Sequence, residues 1–443
     1  MFVQTLAFRS STNNCLKLPA FSRKAHTLPL IHTVLAQHAE EAAILWLLRD
    51  HAVCEPHYSL ADLANLDDRL EAHIDGLRIA GEEGWKLCAK ELAWEEPGEV
   101  FAAAVLALDS GLPERIEPVV EIGCSSPELQ RGLISAAAWN VGQYSHDLLK
   151  RLIESDQSTC RRVGVAAYAG RREDPGQLLF ELVRDEDPLV RARSLRAIGE
   201  LGRLDLSQVA CSATSDEDDA CRFWAAWTTA RFSGRSGAIV GALREFAQRP
   251  GRFTERAVAI SARTTKPDVA RKWLGELWKD PTLMRAATIG AGVLGDPELV
   301  DTLFQMMQVE AVARVAGEAF SMITGVDLAY DDLDQDTPEG FQSGPNEDPE
   351  DENVALDPDE NLPWPNHQLV AKWWSDHRGD FQSGQRYLCG REISVESLGK
   401  TLVDGNQRQR AAAALELAIL QPGKPLFNVC APGFRQQHWL SGK

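Results

Sequence analysis

The stretch Asp187-Pro188-Leu189-Val190-Arg191-Ala192-Arg193-Ser194-Leu195-Arg196-Ala197-Ile198-Gly199-Glu200-Leu201-Gly202 decides the fold, because each position fits one capped, amphipathic helix. Asp187 can cap the helix by accepting from its unpaired first-turn amides. Pro188 suits the first helical position, where its missing N–H would have had no partner. Val190, Leu195, Ile198 and Leu201 form an inward stripe at helical spacing. Gly199 permits close helix approach, and Gly202 offers the left-handed stop.

Sliding the chain against itself finds weaker copies around Pro127 with Arg131, Gln157 with Arg162, Asp219 with Arg222, Phe253 with Arg256, Pro281 with Arg285, and Glu310 with Arg314. With Arg191 included, the arginine recurs at intervals of 31, 29, 31, 34, 29 and 29 residues. A period near thirty holds two short helices and two turns, and such a pair cannot bury its apolar face without a neighbour. The expected architecture is therefore all-α: an α-solenoid of helical hairpins with an acidic loop insertion and a helical C-terminal cap. Arg131, Arg162, Arg191, Arg222, Arg256, Arg285 and Arg314 are expected to meet the acidic cap of the adjoining repeat, with Asp187 the best example, in a ladder of pairs worth about 0.2–1 kcal/mol each.

The pattern divides the chain into five parts. Residues 1–28 hold Arg9, Lys17, Arg23 and Lys24 without a carboxylate, and read as an extension rather than a targeting segment, since the apolar opening Phe2 to Phe8 is short. Residues 29–96 form an N-terminal helical cap, with one helix over Ile31–His51 and a second beginning after Ser59, its N-cap. Residues 97–325 carry the repeats. Residues 326–366 are an acidic, proline-rich insertion, in which Asp327 to Pro363 has fourteen carboxylates and no Lys or Arg. Residues 367–443 return to helices, including Gln368–Arg378 and Arg408–Leu420.

The 44% hydrophobic and 25% charged composition is that of a folded protein. A net charge of -19 repels phosphate backbones and anionic lipid while attracting basic proteins, so no nucleic-acid or membrane partner is expected. Nine cysteines without a C-x-x-C pair read as reduced thiols in a cytoplasmic protein. No apolar run is long enough to span a membrane.

No phosphate-loop, dinucleotide-binding or H-E-x-x-H motif occurs, and no catalytic residue, cofactor or metal ligand is expected. His38, Glu40 and Glu41, or Asp67, Glu71 and His73, are read as solvated helix faces rather than an acid–base or metal group. The candidate binding residues are the insertion's Asp348, Asp351, Glu352, Asp357, Asp359, Glu360 and Trp364, where like charges must stay solvated or meet a cation, and Trp224 and Trp227 on one repeat helix. Core packing is the plainer reading of the tryptophans.

The run D-P-x-V-R followed by A-x-G-x-L-G resembles the HEAT repeats, in particular the short variety of the phycobilisome-lyase-like proteins, over roughly residues 97–325. The segments Val354–Pro365, Gly384-Gln385-Arg386-Tyr387 and Arg408–Ala418, with His38–Ala42 and Leu66–His73, are similar to a family of bacterial proteins of about this chain's length whose genes often lie near type VI secretion loci. The repeated His-Glu pairs of a HEAT-type hydroxylase are absent. The resemblance implies the architecture and that gene neighbourhood; with an acidic balance that suits a basic partner, the expected role is non-catalytic and protein-binding: an immunity or adaptor protein that holds a basic secreted toxin or another type VI component. A lyase or other enzyme on the same solenoid, and a general scaffold, are the alternatives.

Overall fold

The computed structural model describes residues 30–233, 237–344 and 356–442. The extension expected over 1–28 and the candidate binding residues Asp348, Asp351 and Glu352 lie outside the described residues. The chain opens with α1 (His32–Ala52), α2 (Leu60–Ala80) and α3 (Glu82–Glu91). Ser59 caps α2 as its sequence predicts, its hydroxyl accepting from Asp62 N (3.2 Å) while Asp62 accepts from Ser59 N (3.0 Å). Leu63, Leu66, Leu70, Ile74 and Leu77 of α2 join Leu45 and Trp46 of α1 in one buried cluster.

Next come α4 (Pro97–Ser110), α5 (Pro113–Ser125), α6 (Pro127–Trp139), α7 (Gln143–Ile153) and α8 (Ser158–Arg171). They are followed by α9 (Gln177–Leu182), α10 (Pro188–Leu201), α11 (Ser207–Ser212), α12 (Asp219–Ser233) and α13 (Gly237–Ala247). The array ends with α14 (Thr254–Thr264), α15 (Pro267–Leu277), α16 (Met284–Leu294), α17 (Val300–Met306) and α18 (Ala313–Thr324). From α4 to α18 each even-numbered helix packs on the next even one, and the odd-numbered helices flank that row. This is an all-α solenoid. The row is apolar nearly all round because it is covered on both sides, as in α4, where Val100 to Leu108 are all buried.

The stretch that opened the sequence reading becomes α10. Asp187 accepts from Leu189 N at 2.8 Å, and Gly202 closes the helix at φ 71°. A Cβ on Gly199 would lie 2.5 Å from the Trp227 ring and 2.6 Å from Thr228 Oγ1, so glycine sets the α10–α12 spacing.

The arginine ladder forms over three turns, with Arg191 and Arg222 at the expected positions and Arg161 in place of Arg162. Arg161, not Arg162, grips Asp185 (2.7 and 2.9 Å) and donates to the carbonyls of Ser155 (3.0 Å) and Asp156 (2.8 Å). Arg191 repeats this, taking Asp216 (3.0 Å twice) and the carbonyls of Asp185 (3.0 Å) and Glu186 (3.1 Å). Arg222 binds the carbonyls of Asp216 (2.7 Å) and Glu217 (2.9 Å). Each of these arginines lies four residues after Gln157, Asp187 or Asp218, which points its side chain back over the preceding turn. The acid sits 24 or 25 residues further on; after Arg222 those positions are Phe246 and Ala247, so the carboxylate rungs stop. Asp187 caps its own helix instead of a neighbour's arginine. Arg256, Arg285 and Arg314 come only two or three residues after the residue preceding their helices and take other partners or none among the described residues, while Arg131 pairs with Asp50 of α1.

Two antiparallel pairs of two residues each join β1 (Asp334–Gln335) to β2 (Trp364–Pro365) and β3 (Tyr387–Leu388) to β4 (Arg391–Glu392). They are too short to leave an alternating pattern in sequence. The chain finishes with α19 (His367–His377), α20 (Val395–Asp404), α21 (Gln407–Leu420) and α22 (Gly433–Leu440).

This C-terminal module does more than cap the last repeat: it meets the C-terminal ends of the even-numbered helices, and from Glu416 onward it takes them in descending order. Cys389 N and Gly390 N donate to Met322 and Ile323 of α18 (2.7 and 3.0 Å), and Tyr387 N donates to Gly295 after α16 (2.8 Å). Glu416 pairs with Arg263 at the end of α14 (3.3 Å). Leu426 N donates to Glu200 O of α10 (2.8 Å), Asn428 Nδ2 to Gly170 O of α8 (2.8 Å), and Arg435 to Ala138 O and Trp139 O of α6 (2.9 Å each). The last carbonyls of a helix have no partner within it, and the tail supplies donors to one helix after another. It also holds the first hairpin at two places: Gln407 N, which precedes Glu416 in the chain, donates to Tyr58 O (2.8 Å), and Gly433 N, beyond Asn428, donates to Asp67 (2.6 Å) while α22 packs on α2. The first hairpin and the C-terminal module are thereby joined.

Candidate functional site: the turn edge and the closed face

Two surfaces stand out, and the arginine ladder builds the first. At one edge of the solenoid, Arg161, Arg191 and Arg222 fix the turns before α8, α10 and α12 in the same shape. Asp156, Glu186 and Glu217 occupy the same place in those turns, and their carboxylates point to solvent, Glu217 at 91% exposure. Packed helices stand about 8–10 Å apart, so an exposed acid recurs on a spacing of that order or somewhat more. Glu154 adds to the row, while the neighbouring Asp219 is paired with Arg222 of its own helix. The acids beneath them stay charged: burial would raise Asp185 and Asp216, but hydrogen bonds from Arg161 and Arg191 outweigh it and hold both below the ordinary carboxylate range.

The insertion's expected binding residues are divided by the structure. Asp357 and Asp359 are turned inward. Arg314 binds Asp357 Oδ2 (2.6 Å) and Asp359 O (2.8 Å), and Arg285 binds the Asp359 carboxylate (2.9 Å to Oδ1) and Glu255 (2.9 Å). Two arginines expected in the repeat ladder thus hold the insertion to the solenoid, and these two aspartates already have cations. Trp364 is buried beneath Arg314, 4.9 Å from guanidinium to ring. Glu360 remains exposed. Trp227 is buried, and Trp224 is half-buried with Arg196 stacked on it at 4.7 Å.

The second surface is the face over which the tail runs. Between the ends of α6, α8 and α10 and the segment Leu426–Arg435 lies a cavity of about 510 Å³. Six arginines line it, Arg49, Arg131, Arg172, Arg193, Arg196 and Arg435, with Asp50 and Glu200 the acids among the lining residues. Glu200 takes Arg193 (2.9 Å) and Arg196 (2.8 Å) together. Burial pushes its carboxyl up, and Arg193, Arg196 and Arg172 more than reverse this, leaving it at about 2. Arg172 donates to Leu426 O (2.5 Å). The sequence reading missed this cluster: of its arginines only Arg172 belongs to a visible pattern, that of arginines closing consecutive even-numbered helices, where a cation complements the helix dipole, and the others come together only in the fold.

The two imagined acid–base groups are rearranged rather than assembled. Asp67, expected on a solvated face, is 1% exposed and bound to Arg49 at 2.7 Å. His38 and His73 come from the separate groups to meet across α1 and α2, with their Nδ1 atoms 3.1 Å apart. Burial, and then the neighbouring His38, push His73 below the usual histidine value. Among the described residues no three His, Cys, Asp or Glu side chains are grouped to hold a metal ion, and no helix is long and apolar enough to cross a membrane.

The class defined by this geometry is the helical-repeat solenoid. Residues 176–262, from α9 into α14, match the family model described as HEAT repeats. No curated protein matches the chain.

Proposed function

We propose that this chain is a non-catalytic, protein-binding HEAT-repeat protein whose partner is basic and lies along the acidic turn edge. One observation carries the reading: Asp156, Glu186 and Glu217 recur on consecutive turns whose backbone is fixed by the arginines beneath them. A preformed row of like charge loses little order on binding and attracts a complementary partner from a distance. The closed face argues for the edge, because the chain's own tail already occupies the ground that a partner would fill on an open solenoid.

The finer reading is an immunity or adaptor protein that holds a basic effector of a type VI secretion system in the cytoplasm. It rests on the resemblance of the first hairpin and C-terminal module to a family encoded near such systems. Affinity capture with the wild-type chain and with an Asp156→Lys, Glu186→Lys, Glu217→Lys variant tests both levels. The expected result is a basic partner retained by the first and lost by the second, with retention weakening as salt rises. Equal capture by the two baits overturns the edge, and a captured partner that is acidic or unconnected with secretion overturns the finer reading.

A further inference from the structure

The arginine cavity is not used by a protein-binding edge, and its charge is out of keeping with the rest of the molecule. The chain carries -19 overall, yet six arginines meet here with two carboxylates, and a third, Asp67, is bound to Arg49. Six cations against three anions leave an excess of three positive charges. The C-terminal ends of α6, α8 and α10 each contribute the equivalent of about half a negative charge, which offsets only about half of that excess. The tail adds carbonyl dipoles and no carboxylate: Arg172 and Arg435 have only backbone oxygens as partners among the described residues.

The crowding has a visible cost. Burial lowers Arg172 and Arg435, and pushes Arg193 down to about 10 despite Glu200 beside it. Arg196 holds Glu200 through Nε, and among the described residues no acceptor meets its terminal nitrogens. Its plane is set by Trp224. The remaining wall is apolar, with Trp139, Trp227, Leu415 and Phe427. A space of about 510 Å³ lies in the usual range for small-molecule sites.

We infer that this cavity is a binding site for a small organic phosphate, whose phosphoryl group meets Arg196, Arg172 and Arg131 while its carbon part lies against Trp227 and Phe427. A phosphate monoester near neutral pH carries close to two negative charges and three acceptor oxygens, so it matches the surplus and the number of guanidinium groups. A carboxylate supplies one charge and two acceptor oxygens, and leaves more of the surplus unmatched.

The test is titration calorimetry on the full-length chain with phenyl phosphate, inorganic phosphate and benzoate at one fixed ionic strength. Phenyl phosphate is expected to bind most tightly, with benzoate weaker by about tenfold or more. Arg196→Gln removes the donors that lack an internal acceptor, and is expected to weaken phenyl phosphate by about ten- to a hundredfold, the loss of one or two charge-assisted hydrogen bonds. An unchanged melting temperature of the ligand-free variant separates this from unfolding, and Arg131→Gln gives a second variant away from the tail. Inorganic phosphate binding as tightly as phenyl phosphate overturns the organic part of the assignment. Absence of phenyl phosphate binding up to about 1 mM, or equal binding by wild type and both variants, overturns the site. None of these outcomes bears on the acidic edge.

Discussion

Replacing Arg191 with alanine tests the clasp on which the acidic edge depends. Arg191 makes two charge-assisted bonds to Asp216 and two to the carbonyls of Asp185 and Glu186. Its side chain is 12% exposed and that of Asp216 16%, so neither is screened as a surface pair would be. Charge-assisted bonds contribute about 1.5–3 kcal/mol each, but Asp216 retains its bond to Asp218 N (2.9 Å) and gains water, which reduces the net loss. A net local destabilisation of about 3 kcal/mol follows, or about a hundredfold faster amide exchange where exchange proceeds by local opening. Hydrogen exchange followed by mass spectrometry should show this in peptides covering the turns at 183–188 and 213–219, with α2 and α16 unchanged. A double-mutant cycle with Asp216→Ala should return a coupling of about 1–2 kcal/mol. Acceleration of less than about threefold in those turns, or a coupling near zero, would refute the idea that the arginine fixes the edge.

The other expectations concern the tail. Asp67→Asn leaves Arg49 buried without its counter-ion and should cost about 3–5 kcal/mol, read as a lower melting temperature and early proteolysis beyond residue 424. Gly202→Ala places a Cβ at φ 71° and 2.6 Å from the Lys424 carbonyl; about 1–3 kcal/mol of strain is expected, with tail proteolysis again the sensitive readout. Because the Glu200 carboxyl lies at about 2 in the folded protein, below its ordinary value of 4.5, its contribution is complete above pH 4.5 and lost as pH falls from there towards 2. Glu200→Gln should flatten acid unfolding in that window, and an unchanged profile contradicts the assignment. Cys124 and Cys160 have sulfurs 3.3 Å apart in the core, and the hydrogen bond between them lowers the Cys160 thiol from its ordinary value; mild oxidation should link these two, as peptide mapping would show.

The solenoid was legible because its signals are local. Asp187, Pro188 and Gly202 act within a turn of themselves, and an apolar stripe every thirty residues or so has few other uses. The ladder was legible in outline and misplaced in detail: Arg161 and Arg162 are adjacent, and only the position of the helix start, four residues before Arg161, decides between them. The insertion's aspartates looked available because their partners, Arg285 and Arg314, had been assigned by period to another task. The closed face was not legible at all. Its bonds join residues up to 381 positions apart, as between Arg49 and the Cys430 carbonyl, and many of the acceptors are backbone oxygens that every residue carries. Amino-acid type says nothing about such pairs until both helices have been placed.

A returning tail also works as a ruler. Open helical arrays change length in evolution by gaining or losing a unit, since each unit touches only its neighbours. Here the segment from Tyr387 to Arg435 is fitted to an array whose first and last helices already meet, since Arg408 reaches both Glu318 of α18 (3.0 Å) and the Cys54 carbonyl after α1 (2.9 Å). Removing one hairpin would shift every later contact by about one helix-to-helix spacing, roughly 10 Å. The number of units in this molecule is therefore fixed by the contacts its tail makes with both ends at once, and duplication would have to rebuild array and tail together.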